Sequence, residues 1–345
     1  MDNKKITIRQ VNKKDFINLS KYLSKKALPK YSPKQYMRRF NFWWLKNPAF
    51  RKNDIYGWII LDNFKKKIKG FLGNIPADYR INGEIYNTVS ASTWVVDKDY
   101  RKYSIYLYFS YLKQKKDLFL NSTPANITSH IFMKTNFIDI AKTQNNYISL
   151  VSYQPIYYFL KKFIKLNTFN IVISKLIFFL YSNLFRVGFD CKKVDIKYEI
   201  IRKSIEIEKL LAKKKNILMN FEWVLNSDPN KFFLKISDQH KLDNFIYMQY
   251  VNNPINKLKY IQILETNLTS LNLIKNIAFE VAAKKKYVLD CIIFCNSSMN
   301  KIFYRSFIKF NFLSKSRCFV KSDKINIKNI LPNGIFGEKG FVIWN

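Results

Sequence analysis

Trp94-Val95-Val96-Asp97-Lys98-Asp99-Tyr100-Arg101-Lys102-Tyr103-Ser104-Ile105-Tyr106 is the stretch that decides the fold. Its first three residues close an apolar run that begins at Thr88. From Ser104 to Leu112 the apolar positions recur at helical spacing, so a strand turns directly into a helix. The first amides of a helix have no partner within it, and together with the macrodipole they attract anions. Arg101 and Lys102 add positive charge at the same place. The turn is therefore expected to hold a phosphate-bearing ligand.

Working upstream, Ile6-Thr7-Ile8-Arg9 alternates as a short strand and Asp15 to Leu19 lengthens to helical periodicity. Tyr36 to Leu45 reads as an aromatic helix stopped by Asn47-Pro48, because proline disfavours helical backbone in the residue before it. Strands are expected at Tyr56–Leu61, Lys69–Ile75 and Thr88–Val96, and downstream of the turn at Leu118–Leu120, followed by a helix from Asn126 to Thr135. This order predicts an α/β fold with a mixed sheet.

The pattern repeats. Trp44 to Pro48 is echoed by Trp223 to Pro229, Lys69-Gly70-Phe71-Leu72 by Asp243-Asn244-Phe245-Ile246, and Asn121-Ser122 and Asn136-Phe137 by Asn296-Ser297 and Asn311-Phe312. Similar spacing across three elements predicts two tandem copies of one unit. The expected division is a first domain at 1–150, a helical connection at 151–195 and a second domain at 196–345. The length of 345 residues suits two cores.

With 48% hydrophobic residues, 30 Phe and 22 Tyr, the chain has the apolar area to fold despite a formal charge of +36. The excess is mostly Lys, with Arg sparse, and the runs at 65–67, 213–215 and 284–286 read as solvated turns and helix ends, so a dedicated nucleic-acid groove is not expected. Cys191, Cys291, Cys295 and Cys318 form no CxxC pair, and His130 and His240 lie apart from them, so no metal site is expected. Charged residues precede Ile6 where a secretory signal would be apolar, and a cytoplasmic location is expected. The apolar stretch from Asn170 to Phe189 is interrupted by Lys175 and Arg186, too soon for a bilayer span. It is expected as a buried or interfacial helix. Phe163 with Lys161, Lys162 and Lys165 leaves open a peripheral contact at the inner membrane surface.

The Trp94–Tyr106 segment resembles the cofactor motif of the GNAT superfamily of acyl-CoA-dependent N-acyltransferases, in which a strand ends at an Arg-containing loop around the coenzyme's pyrophosphate. Val96, Tyr100 and Arg101 match; the family's glycines are replaced by Tyr103 or Ser104 and by Ile105 or Tyr106. Asn121 to Phe137 resembles the following strand and helix. The resemblance implies acetyl-CoA or another acyl-CoA as co-substrate, bound by Trp94, Val95, Val96, Arg101, Lys102, Tyr103, Ser104, Ile105, Tyr106 and Asn126. It also implies an amine acceptor, such as an amino sugar or a glycolipid-type cell-envelope precursor, by similarity to tandem acyltransferases of surface-polysaccharide biosynthesis. A similarity to the paired-domain aminoacyltransferases of peptidoglycan cross-bridges offers an alternative donor, aminoacyl-tRNA. A second alternative is a non-catalytic binding module on the same scaffold. In the second half the turn after Tyr260–Leu264 has neither Arg nor Gly, and no coenzyme is expected there.

Amide formation requires a positioned amine, a base for its proton and donors for the oxyanion. The family's tyrosine acid falls on Phe132, which has no proton to give. The expected base position offers Ser90, Ser92 and Thr93. Candidate catalytic groups are His130, an imidazole on the helix facing the expected cleft, and Glu84, beside the Asn82-Gly83 turn. Phe42, Trp43 and Trp44 read as core, with stacking on a sugar as the other use.

Overall fold

The computed structural model describes residues 6–27, 31–121, 126–140, 146–161, 163–164, 166–184, 197–211, 216–238, 241–253, 257–268, 270–295, 308–309, 318–325 and 327. The first half runs β1 (Ile6–Gln10), α1 (Phe16–Lys26), α2 (Pro33–Phe40), β2 (Gly57–Asp62), β3 (Lys67–Ile81), β4 (Glu84–Val96), α3 (Ser104–Leu112), β5 (Leu118–Asn121), α4 (Asn126–Lys134), β6 (Ile138–Asp139) and β7 (Asn146–Leu150). A helical hairpin follows, α5 (Gln154–Leu160) and α6 (Asn167–Leu184). The second half repeats the order with β8 (Lys197–Ile201), α7 (Ser204–Leu211), β9 (Asn216–Leu218), α8 (Phe221–Ser227), β10 (Lys231–Asp238), β11 (Lys241–Asn252), β12 (Lys259–Thr266), α9 (Leu271–Lys284), β13 (Cys291–Cys295), β14 (Ile308–Lys309) and β15 (Phe319–Lys321).

Local chemistry explains the boundaries that matter. Ser32 and Gln35 cap α2 reciprocally and Pro33 occupies its first turn, where a missing N–H costs nothing. The helix loosens into a π turn at Asn41–Leu45, ending before Pro48. Asn82 and Gly83 both take positive φ, 52° and 94°, making the tight turn that joins β3 to β4.

Two mixed sheets result. The first has the order β1-β2-β3-β4-β5-β15-β6, with β9 added to β3, and the second β14-β7-β13-β12-β11-β10-β8. The first residues of β2 and β10, and of β3 and β11, are each 174 positions apart, as the sequence echo requires. The repeats at Asn296-Ser297 and Asn311-Phe312 lie outside the described residues, as do Cys191, His240 and 213–215.

Each half lends the other a strand. β7 pairs with β13 and β14, and β15 pairs with β5 and β6. So β7, inside the stretch 1–150, completes the second sheet, and neither sheet is one continuous segment. The core is shared as well. Phe16, Trp43, Trp44, Phe71 and Ile75 join Phe221, Val224, Phe233, Phe245 and Tyr247 in one buried cluster. Across this contact Phe42 stacks on Trp223 at 4.4 Å, and the Trp223 indole donates to the Phe42 carbonyl at 3.1 Å. The aromatic cluster before Pro48 is thus core, with Trp43 and Trp44 buried.

Candidate active site

β4 and β5 run parallel through Thr88↔Leu118, Val89↔Phe119 and Ser90↔Leu120, where their pairing ends. β5 stops at Asn121, while β4 continues from Ala91 to Val96, paired to β3 on one side only among the described residues. Beyond Ser90 no described residue pairs with the main chain of β4 on the side that β5 has left. The point of parting is clamped by Tyr111, whose buried hydroxyl lies 3.1 Å from the carbonyls of both Val89 and Leu120 and donates to them.

The open segment is also kinked. Between Phe71↔Val95 and Gly73↔Ser92 there is one more residue on β4 than on β3. The extra residue forms a bulge, and Thr93 takes φ 50°. A β-branched residue at positive φ is strained by roughly 1–3 kcal/mol, and such strain collects at functional sites. Gly73 permits it, since a Cβ there would stand 2.9 Å from the Ser92 carbonyl oxygen. The bulge sorts the side chains. Before it, Thr88 and Ser90 share the face of Ala77 and Ile75, and the buried Ser90 hydroxyl has no hydrogen-bond partner among the described residues. Val89, Ala91, Trp94 and Val96 face α3 and α4.

On that second face an aromatic wedge sits between the helices. Trp94 stacks on Tyr108 at 5.4 Å and meets Phe132 edge-on, and Phe132 packs against Tyr108 and, from the exchanged strand, Phe319. Tyr108 hydrogen-bonds Thr135 at the end of α4. Burial pushes its pKa up to about 12, against the opposing effect of that bond, so the hydroxyl keeps its proton at neutral pH.

The turn after Val96 is a 3₁₀ helix, Lys98–Tyr103, that runs straight into α3. Tyr100 N–H donates to the Asp97 carbonyl at 2.9 Å and Ser104 N–H to that of Arg101. Continuous helical bonding moves the free amides of the helix start back to Lys98 and Asp99, instead of the stretch from Arg101 to Tyr106. Carboxylates pin this turn. Tyr100 donates to buried Asp62 at 2.5 Å, a bond that, with burial, pushes its pKa up to about 12. Asp97 pairs with Lys26 at 3.1 Å and Lys69 at 3.4 Å. Arg101, Lys102 and Tyr106 are exposed, while Trp94, Val95, Val96, Tyr103, Ser104 and Ile105 are half-buried.

No family model matches the chain, and no curated protein matches it. Solved structures do. N-myristoyltransferase from Saccharomyces cerevisiae, solved with bound myristoyl-CoA and inhibitors, superposes with a TM-score of 0.55 at 11% identity, over 92% of this chain and 79% of that one. A GCN5-related N-acetyltransferase from Anabaena variabilis gives 0.55 at 10% identity, covering 92% and 72%. A probable N-acyltransferase from Enterococcus faecalis gives 0.51 at 9%, with the same coverage. The chain has the tandem GNAT fold.

The GNAT frame places the remaining candidates. His130 is exposed, and two residues along α4 turn it to the opposite side from buried Phe132. Glu84 opens β4, exposed, accepting from the Tyr86 hydroxyl at 2.5 Å. Nine residues of strand set it about 30 Å from the Thr93 bulge. Trp94, Val95, Val96 and the turn follow one another on the stretch of β4 beyond Ser90, and Glu84 stands at the opposite end of that strand. Asn126 begins α4, but its side chain lies outside the described residues. In the second GNAT copy, Ser270 caps α9 by accepting from Leu273 N–H at 3.3 Å, so that helix start is closed by its own residue. Tyr108, Tyr111 and the Thr93 bulge escaped the sequence reading: both tyrosines sit at core spacing on α3, and no glycine marks the bulge.

Between the two halves lies a second group of polar residues. The Arg39 guanidinium rests 4.7 Å from the Tyr31 and Trp43 ring centroids, and faces Lys231 of β10, which is fully buried beside Asp228. Next to Lys231 across the sheet, Gln249 donates to Gln262 at 2.8 Å. Arg39 Nε, Trp43 Nε1, Tyr247 Oη and Gln249 Oε1 are buried without hydrogen-bond partners among the described residues. Burial, aided by Arg39 and opposed by Asp228, pushes the Lys231 pKa down to about 8 from its ordinary 10.5. Between these values the unfolded chain binds the proton that the native state has released, so stability rises with pH from about 8 to 10.5. Replacing both partners, Lys231→Met with Asp228→Asn, removes the buried ammonium without stranding a carboxylate, and the expected gain at pH 7 is modest, roughly 1–2 kcal/mol. Urea unfolding at pH 7, 8, 9 and 10 checks both parts: the variant is more stable at pH 7 and lacks the wild-type rise above pH 8.

Proposed function

We propose that this chain is an N-acyltransferase that moves an acyl group from acyl-CoA to an amine within a ternary complex. The observation that carries this reading is the parting of β4 from β5 at Ser90↔Leu120, with the positive-φ bulge at Thr93, in a GNAT fold. An unpaired strand edge accepts an extended, amide-bearing chain such as pantetheine by adding it as a strand. An N–H group left unpaired at such a bulge suits an oxyanion. Lys98, Arg101 and Lys102 supply charge for the diphosphate at the start of the 3₁₀ turn, where Lys98 and Asp99 carry the free amides.

The amine lone pair attacks the thioester carbonyl and forms the C–N bond, the nitrogen gives up one proton to solvent, the C–S bond breaks and the sulfur takes a proton. Tyr108 packs against Phe132 and carries the hydroxyl that Phe132 lacks; we assign it as the acid. Tyr108→Phe is expected to lower kcat roughly tenfold or more with little change in KM. For the acceptor, the resemblance to the acyltransferases of surface-polysaccharide biosynthesis favours an amino sugar or a related cell-envelope precursor. The supply of acyl-CoA inside cells agrees with a cytoplasmic reaction.

The test follows free thiol release from acetyl-, octanoyl- and myristoyl-CoA, with amino sugars as acceptors and mass detection of the product. Amine-dependent release matched by acylated product is expected. Absence of release with every donor, under conditions where the protein is folded, overturns the reading, and acylation from aminoacyl-tRNA instead would assign the alternative donor.

A further inference from the structure

The helical hairpin of α5 and α6 carries its polarity inside out. On α6, Asn170 and Ser174 are fully buried and Tyr181 nearly so. Asn170 donates to the Ile164 carbonyl at 2.8 Å, Ser174 to the Asn170 carbonyl at 2.5 Å, and Tyr181 accepts from Leu150 N–H of β7 at 3.4 Å. Tyr181, with Phe178, Ile156 and Cys291, fastens the helix to the second sheet, while the Asn170 and Ser174 bonds lie within the hairpin. The opposite face is apolar and exposed. Phe169, Val172, Leu176, Phe179 and Leu180 recur at three- and four-residue spacing, with exposures from 49% to 65%, and Phe163 at the hairpin tip is 71% exposed. Soluble surfaces rarely leave so continuous an apolar stripe uncovered.

Charge identifies the occupant. Between Asp139 and Asp190 the sequence contains no Asp or Glu, while Lys142, Lys161, Lys162, Lys165, Lys175 and Arg186 all fall within it. Lys161 and Lys175 flank the apolar stripe, resting over the Tyr157 and Tyr153 rings at 5.8 and 5.6 Å. A protein partner would need an apolar groove rimmed by acid, whereas an anionic bilayer offers both components along a flat surface. No helix among the described residues is long and apolar enough to cross a membrane, and the inner face of α6 is held by the sheet. The helix therefore lies in the interface, its 18 residues spanning about 27 Å.

We infer that α5–α6 is a membrane-docking device that seats the exposed face of α6 in an anionic lipid surface, with Lys161 and Lys175 at headgroup level. This goes beyond the acyl-transfer reading and stands without it. Vesicle flotation tests it, using phosphatidylcholine vesicles with and without phosphatidylglycerol. The wild-type protein is expected to float with the anionic vesicles and only weakly with the neutral ones. Phe169→Ser, Val172→Ser and Phe179→Ser combined should lower partitioning at least roughly a hundredfold, and Lys161→Glu with Lys175→Glu should remove the preference for phosphatidylglycerol. All five positions are exposed, so unchanged melting curves are expected alongside. Equal partitioning of the triple variant and wild type overturns the assignment. So does a wild-type protein that ignores anionic vesicles, including one that pairs with a second copy through this face, seen as a concentration-dependent dimer abolished by the triple variant.

Discussion

Trp44→Ala is expected to lower the free energy of unfolding by about 3–5 kcal/mol, measured by urea titration of far-ultraviolet dichroism. The ring is 2% exposed, stacks on Phe40 at 4.7 Å, and touches Phe16 and Tyr56 at 5.2 Å each. Truncation would leave a cavity the size of an indole among side chains held by other contacts. It would also strand a carbonyl, because Trp44 Nε1 donates to Asn74 at 2.8 Å. Asn74 pairs with Ala91, the first β4 residue beyond the point where β5 departs. Trp44→Phe keeps the stacking and loses the hydrogen bond, so about 1–2 kcal/mol is expected for it. Equal losses in the two variants would show that the indole bond, and not the packed volume, carries the effect.

Lys116→Met is expected to cost about 3 kcal/mol or more. Lys116 Nζ lies 2.6 Å from Asp54 and 2.9 Å from Asn87, and both partners of the ion pair are only 7% exposed at the side chain. Removing the cation leaves a carboxylate buried without its counter-charge, and the desolvation penalty of that group then acts unopposed. The pair also sits where β4 and β5 begin their parallel run, since Asn87 N–H donates to Asp117 at 2.9 Å. Adding Asp54→Leu to Lys116→Met is expected to recover most of the loss, because two well-packed apolar groups avoid the stranded charge. A double variant as unstable as the single one would mean that the lost bond to Asn87 dominates.

The elements of the first half were legible because their signals are local. Alternation marked β1, apolar runs marked β2 to β5, helical spacing marked α1 and α3, and Asn47-Pro48 marked the end of the aromatic helix. The turn at Val96 was legible as strand to helix, but its 3₁₀ geometry was not, because that depends on tethers from residues far away in sequence, Tyr100 to Asp62 and Asp97 to Lys26 and Lys69. The exchange of β7 and β15 left no trace for the same reason. A strand's periodicity reports which face is buried and says nothing about which sheet buries it. The bulge at Thr93 was hidden because the residue that allows it, Gly73, lies on the neighbouring strand. The apolar stretch at 170–189, which contains most of α6, was legible as too interrupted to span. Which of its faces would be exposed followed only from the packing of Asn170, Ser174 and Tyr181, since composition does not distinguish a helix with its polar side outward from one with it inward.

Hydrogen–deuterium exchange with and without saturating acyl-CoA tests most directly whether the open edge of β4 is the coenzyme site. Protection concentrated at Ala91–Val96 and through Lys98–Tyr103, with little change in β12 and α9 of the second copy, is the predicted result. An exchange pattern unaltered by the coenzyme, or protection centred on the second half, would contradict the account.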